Sequence, residues 1–378
     1  MQKSLGLYIH IPFCERKCYY CNFVSFCLGD EKKAKYVNCL QKEIEMQGKN
    51  FADYIVDTVF IGGGTPTVLK DGDIQKILLS VRQNFNLSNN AEISIECNPN
   101  SLTKSKLLEY KNAGINRLSI GLQAYNNKLL QIIGRLHTKE QFDEAFKNAK
   151  QAGFENINVD LILGLPNQKL CQVKSELKHL VKLGVNHISA YGLIVEENTK
   201  LKNDIDAGIL KLPKEEKSIK MYDFSVKFLQ KSGIFRYEVS NFAKYGHECK
   251  HNLKYWQNKN YLGLGAVSSS FVDEKRWKNI DNLERYFDAI NGGILPQEDV
   301  EILSKNDQIE ECIMLSLRTV YGINLSDFKA RFGYDLLIEK QLQIQRLKDQ
   351  NLIEIKDENL VCTNKGFHVL NQIILELI

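Results

Sequence analysis

Between Leu5 and about Val195, short β-branched runs alternate with helical patterns, and this alternation constrains the fold more than any other feature of the chain. Strands are expected at Leu5–Pro12, Val56–Ile61, Glu92–Glu96, Arg117–Leu122, Asn156–Leu161 and His187–Gly192. Between them Glu31–Gln47, Gly72–Asn84, Lys104–Asn112, Lys139–Ala152 and Gln168–Leu183 carry apolar residues at three- and four-residue steps, the spacing of amphipathic helices. Gly48, Gly114, Gly153 and Gly184 fall just past helix ends, where a left-handed cap is expected. Six such units around a parallel sheet make the chain α/β, a partial (β/α)6 barrel over residues 1–240.

Composition narrows the setting. The net charge of +4 and 25% charged residues give no global pull toward nucleic acid or an anionic membrane. Ten cysteines with no signal peptide in view point to a reducing compartment, and cytoplasmic localisation is expected. The apolar run Leu5–Phe13 is far too short to span a bilayer, so no transmembrane segment is expected.

Directly after the first strand comes Cys14-Glu15-Arg16-Lys17-Cys18-Tyr19-Tyr20-Cys21, three cysteines at C-x3-C-x2-C spacing. A loop this short brings three thiolates onto one inorganic centre, and soft thiolates select zinc or an iron–sulfur cluster. Structural zinc wants four protein ligands; Cys27 is six residues beyond Cys21, and Cys39 falls on a helix. Three ligands therefore favour a 4Fe-4S cluster with one iron left open, with structural zinc or unrelated buried cysteines as alternatives.

The other strands also end in polar or glycine residues. These are Gly62-Gly63-Gly64-Thr65-Pro66, Glu96-Cys97-Asn98-Pro99, Gly121-Leu122-Gln123, Asp160, and Ser189 with Tyr191. In a β/α barrel these ends share one rim, where ligand chemistry collects. The glycines fit neither a P-loop nor a dinucleotide fingerprint. They could form only a tight turn, and Glu96 and Asp160 could be caps or ion partners.

The cysteine spacing resembles the signature of the radical S-adenosylmethionine (SAM) enzymes. Within them, His10-Ile11-Pro12-Phe13-Cys14, Gly62-Gly63-Gly64-Thr65-Pro66-Thr67, Gly121-Leu122-Gln123, Arg135-Leu136-His137 and Asp160-Leu161-Ile162-x-Gly164-Leu165-Pro166 resemble the oxygen-independent coproporphyrinogen III oxidase group, as far as about residue 300. The resemblance implies a 4Fe-4S cluster on Cys14, Cys18 and Cys21, with Tyr8 and Tyr20 bordering it and a bound SAM. It implies Gly63, Gly64 and Thr65 at the methionine part, and Glu96, Gln123, Arg135 and Asp160 around the nucleoside and carboxylate.

Departures from the oxidases point to the heme-chaperone branch of the group. Phe23 stands where the oxidases carry a further cysteine, and their N-terminal extension is expected to be missing, since thirteen residues precede Cys14. His251-Asn252-x-x-Tyr255-Trp256 matches a motif of the chaperone branch. Its chemistry suits heme, because an imidazole ligates iron and Tyr and Trp offer flat apolar faces. A surface His-Asn turn with buried aromatics is the alternative. Tyr261-Leu262-Gly263-Leu264-Gly265 agrees with the family, whereas Ala266-Val267-Ser268-Ser269-Ser270 lacks the expected small-residue-plus-histidine pattern. The implied function is heme delivery to acceptors such as respiratory cytochromes, with peripheral membrane contact through them and a homodimer both compatible. Oxidative decarboxylation of coproporphyrinogen III is the runner-up.

Residues 214–233 read as a further helix and Phe235–Val239 as a strand, and 241–304 is expected to connect two domains. From Lys305 the pattern becomes helices near 307–320, 325–332 and 336–350, a hairpin of Leu352–Lys356 and Leu360–Thr363, and a last helix. That order is winged-helix-like over 305–378. The segment holds nine Lys and Arg against eleven Asp and Glu, the wrong balance for phosphate neutralisation. A protein-contact or lid role is expected rather than nucleic-acid binding.

Overall fold

The computed structural model describes residues 3–378. Strands β1 (Lys3–Ile11), β2 (Tyr54–Gly63), β3 (Asn86–Cys97), β4 (Arg117–Gln123), β5 (Asn156–Leu163) and β6 (His187–Gly192) lie side by side in parallel, in chain order. All residues of β4 but the last are buried, as expected of a strand covered on both faces. The cover comes from α1 (Asp30–Gly48), α2 (Asp73–Asn84), α3 (Lys104–Asn112), the short α4 (Asn127–Ile132), α5 (Lys139–Gln151) and α6 (Leu170–Lys182). Gly114, Gly153 and Gly184 take the expected left-handed cap, at φ of 89°, 82° and 77°. Gly48 does not: its φ is −53°, and a Cβ there would stand 2.4 Å from the Asn84 carbonyl oxygen. It is glycine because α1 and α2 touch at that point.

Beyond β6 come α7 (Lys200–Asp206), α8 (Glu215–Lys231) and a second set of strands. β7 (Phe235–Arg236) and β8 (Asn241–Ala243) extend the sheet antiparallel at the β6 edge. The expected strand Phe235–Val239 stops after two residues, and Glu238 instead bridges to Thr319. After α9 (Lys250–Trp256), β9 (Tyr261–Leu264) pairs in parallel with β1, Gly6 facing Tyr261 and Ile9 facing Leu264. β10 (Ser269–Val272) and β11 (Lys275–Asn279) follow, then α10 (Leu283–Asn291) and β12 (Gln297–Ile302), giving twelve strands in all.

Residues 241–304 are therefore no connector, which corrects the expected domain division. One apolar core runs from Leu5 to Ile290, and a second from Ile309 to Leu377. The break falls near 303 alone. At its centre the joined core holds a buried carboxyl: Glu43 of α1 accepts from Gly265 N, Tyr286 Oη and Asn279 Nδ2 at 2.7, 2.7 and 2.6 Å. It ties α1 to the added strands.

The second domain follows the winged-helix-like order. It comprises α11 (Lys305–Ser316), β13 (Ile323–Asn324), α12 (Leu325–Phe332), α13 (Leu336–Glu339), α14 (Gln341–Asp349), the hairpin β14 (Ile353–Lys356) and β15 (Asn359–Cys362), and α15 (Leu370–Leu377). The helix expected over 336–350 breaks at Lys340, whose φ of −115° leaves the helical range. The hairpin turns on Asp357 and Glu358, both at positive φ, the backbone of a tight two-residue turn.

Candidate cluster and cofactor cavity

The cysteine loop is held by neighbours on three sides. Phe26 N donates to Pro12 O at 2.7 Å and Cys14 N to Phe26 O at 3.1 Å, so the residues after β1 pair with the loop's own return. Tyr19 N donates to Ile133 O and Arg16 to Gly134 O, at 3.0 and 2.9 Å. Gly134, at φ 73°, has to be glycine, since a Cβ would lie 2.7 Å from the Tyr19 ring.

The glycine run ending β2 is fitted against this loop. A Cβ on Gly63 (φ 113°) would stand 2.5 Å from the His10 ring, and one on Gly64 2.5 Å from the Phe13 carbonyl oxygen. Gly64 N donates to Ile11 O and Thr65 N to Phe13 O, at 2.9 and 2.7 Å. The glycines thus serve close packing inside the protein, while their backbone also faces the cavity. Thr65 Oγ1 lies 3.7 Å from Cys14 Sγ and accepts from Asn98 Nδ2 at 3.3 Å.

A cavity of about 580 Å³ opens on the C-terminal rim. Cys14, Cys18, Cys21, Tyr20, Gly63, Gly64, Thr65, Glu96, Gln123, Arg135 and Asp160 all line it, so the structure brings together eleven of the twelve residues expected there. The exception is Tyr8, which faces a smaller cavity of about 210 Å³ deeper in the barrel and hydrogen-bonds His10 Nδ1 at 2.9 Å. As the sixth residue of β1 it points into the barrel, three residues short of the rim. Asn98, Ser119 and Tyr191 line the main cavity and were not among the expected site residues. Asn98 and Tyr191 were read among the rim residues but given no role in the site; Ser119 lies mid-strand and gives no such signal.

Charge in the cavity is arranged around two carboxyls and a guanidinium. Glu96 accepts from Gly63 N at 3.0 Å, and burial, reinforced by Asp160, pushes its pKa up to about 8. Burial also raises Asp160, against the hydrogen bonds it accepts from Ser119 and Asn158 at 3.0 and 2.8 Å. Arg135 donates to Cys18 Sγ at 3.6 Å, to Gly121 O at 2.8 Å and to Asn98, and its Nε has no partner. Gln123 sits at φ 68°, beside a register shift between β4 and β5. A non-glycine residue there is strained and re-aims its side chain.

These residues fit a multi-atom thiolate-bound centre with an organic ligand beside it. Among the described residues no three Cys, His, Asp or Glu side chains converge on a single-ion site. The three thiols face a common cavity instead. Cys97 also reaches the wall, but its thiol donates to the Ile95 carbonyl. Cys27 is exposed and does not line it.

The second motif lies at the opposite end of the barrel. Glu92, midway along β3, accepts from the backbone N of Lys250 and His251 at 3.1 and 3.2 Å, anchoring the α9 N-terminus. His251 is fully buried, its Nδ1 2.8 Å from Thr58 Oγ1 and its Nε2 2.8 Å from Tyr255 Oη, and it stacks on Phe60. Burial lowers its pKa to about 3. Neither a surface turn nor an exposed imidazole is found; α9 closes the barrel floor. Tyr255 and Asn252 line the deep cavity from below, and Trp256 faces outward toward the second domain.

A family model for the radical SAM superfamily matches residues 8–184, and one for the HemN C-terminal domain matches 303–369. The chain is 35% identical over 376 residues to "Heme chaperone HemW" of Lactococcus lactis, covering 99% of this chain and 97% of that one. It is also 35% identical to "Heme chaperone HemW" of Bacillus subtilis over 367 residues, 97% of each. Coproporphyrinogen III oxidase (HemN) from Escherichia coli superposes with a TM-score of 0.86 at 23% identity, covering all of this chain and 90% of that one, which establishes a shared fold. The barrel, the cysteine loop at its rim and these matches define a radical SAM protein with a HemN-type C-terminal domain. Within that class, the chain belongs to the HemW family.

Proposed function

We propose that this protein is a heme chaperone that binds heme and passes it to acceptors such as respiratory cytochromes. The observation that carries the reading is likeness to curated heme chaperones along nearly the whole chain. Phe23 agrees with it: it is 71% exposed on the cavity wall, and no thiol stands at this position, where the oxidases have one.

In this reading Cys14, Cys18 and Cys21 hold a 4Fe-4S cluster, and SAM lies against Gly63, Gly64, Thr65, Tyr20, Glu96, Gln123 and Asp160. When bound, the cluster supplies an electron for reductive cleavage of the SAM sulfonium. Arg135 places positive charge beside the Cys18 sulfur. Glu96 is fixed by Gly63 N and is oriented for ribose hydroxyls. In this reading the protein works in a reducing compartment, the cytoplasm, where its ten cysteines stay out of disulfides. A homodimer is compatible with this reading.

Among the motif residues, the geometry favours Trp256 as a direct heme contact. His251 and Tyr255 ligate or stack on heme only if the barrel floor opens.

The test pairs two assays on one anaerobically reconstituted sample. Heme titration is expected to shift the Soret band, and coproporphyrinogen III with SAM and reductant is expected to yield no protoporphyrinogen. Clear turnover, or no heme binding, overturns the reading.

A further inference from the structure

A second cavity, which the cluster site leaves unused, lies between the two domains. A cavity of about 500 Å³ is bounded on one side by Trp256 and Gln257, at the end of α9, and on the other by α11, β13, α12 and the β14–β15 hairpin. Its size falls among small-molecule sites. Its walls are amphipathic. Phe328, Phe332, Ile323 and Val361 are buried and apolar, Trp256 and Tyr321 are partly exposed aromatics, and the rim is charged.

One soft ligand faces this space. Cys312 is half-buried on α11, one turn before Ser316, and its thiol lies 3.9 Å from the Ser316 hydroxyl. Burial raises its pKa, while the Ser316 hydroxyl and the Arg331 guanidinium work against that rise. Arg331 and Lys356 stand on the rim, and neither forms an ion pair with a carboxylate among the described residues. Asp327 and Asp357 share the rim, so it carries no net positive field. Anionic groups would have to meet the two cations individually.

Amphipathic walls with two partly exposed aromatic rings, a sulfur ligand and separated cations on the rim suit a planar metal macrocycle with carboxylate arms. We propose that the interdomain cavity is a heme site in which Cys312 Sγ ligates the iron, Trp256 lies against the macrocycle, and Arg331 and Lys356 receive its propionates. This rests on the heme-chaperone reading and assigns it a place away from the cysteine loop. As the Sγ–Fe bond forms, the thiol proton leaves to solvent; no electron is transferred. The location also accounts for the division of the α9 motif, in which His251 and Tyr255 build the floor and Trp256 alone turns outward.

The test is ferric heme titration of the full chain, wild type and three variants, followed by absorbance and low-spin electron paramagnetic resonance. Wild type is expected to show a thiolate-ligated ferric signature. Cys312→Ser is expected to abolish it, and Cys171→Ser, at an exposed thiol outside the cavity, to keep it. Arg331→Glu, on an exposed side chain that lies over the Phe332 ring, is expected to keep the signature and weaken affinity by about tenfold. An unchanged signature in Cys312→Ser, or unchanged affinity in Arg331→Glu, overturns the site while leaving the chaperone reading intact. Failure of wild type to bind heme at all overturns both.

Discussion

At single positions, the resemblance of motifs named the residues around the cavity, but not what each one touches. Gly63 and Gly64 were expected beside the methionine part of SAM, whereas their missing side chains first make room for His10 and Phe13. Gly63→Ala adds a Cβ 2.5 Å from an immobile ring at φ 113° and should destabilise by roughly 2–4 kcal/mol. Gly72, at φ 91° with nothing within 4 Å of its Cβ direction, is the control: Gly72→Ala should cost only about 1 kcal/mol. Urea unfolding of both variants measures the difference, and equal losses would mean that steric contact at Gly63 is unimportant. Such contacts were not legible because they join residues more than fifty positions apart, and one-dimensional spacing carries no distance.

At the level of elements, helices α1, α3, α5, α6 and α12 were read to within two residues at each end, whereas β3 begins six residues before its expected start. The other losses were short elements whose pattern is overridden by their neighbours. β12, Gln-Glu-Asp-Val-Glu-Ile, is mostly polar and exposed, and only pairing with β11 makes it a strand. Ties between elements also escape a linear reading. Glu176 of α6 is buried and accepts from the backbone N of Tyr125, ahead of α4. Burial raises its pKa from 4.5 to about 8, so the folded state keeps the proton that the unfolded chain gives up. The stability this carries is complete below pH 4.5 and is lost as pH rises toward 8. Melting temperatures between pH 5 and 8.5 should fall less steeply in Glu176→Gln than in the wild type. Glu43, Glu96 and Glu238, raised in the same direction, leave a residual slope, and identical slopes would remove Glu176 from the account.

For the whole molecule, the boundary near 303 separates two cores joined by polar contacts and by Val239, which packs against the second core. Arg236 lies 3.7 Å over the Phe367 ring and donates to Asn364, His368 meets Asp223 at 3.0 Å, and Val320 N donates to Tyr237 O. The expected division at 240 failed because β9 returns to β1 across some 250 residues of sequence, which no local pattern reports. That pairing matters during synthesis. Until residues 261–264 leave the ribosome, β1 has β2 on one side and nothing on the other, and an unpaired strand edge invites association with other chains. Nascent fragments released near residue 240 should therefore aggregate, whereas fragments released near 304 should stay dispersed, as light scattering of truncated translation products would measure. The strand that leads into the cysteine loop is the first made and among the last completed, so a cluster inserted early would enter a half-built sheet.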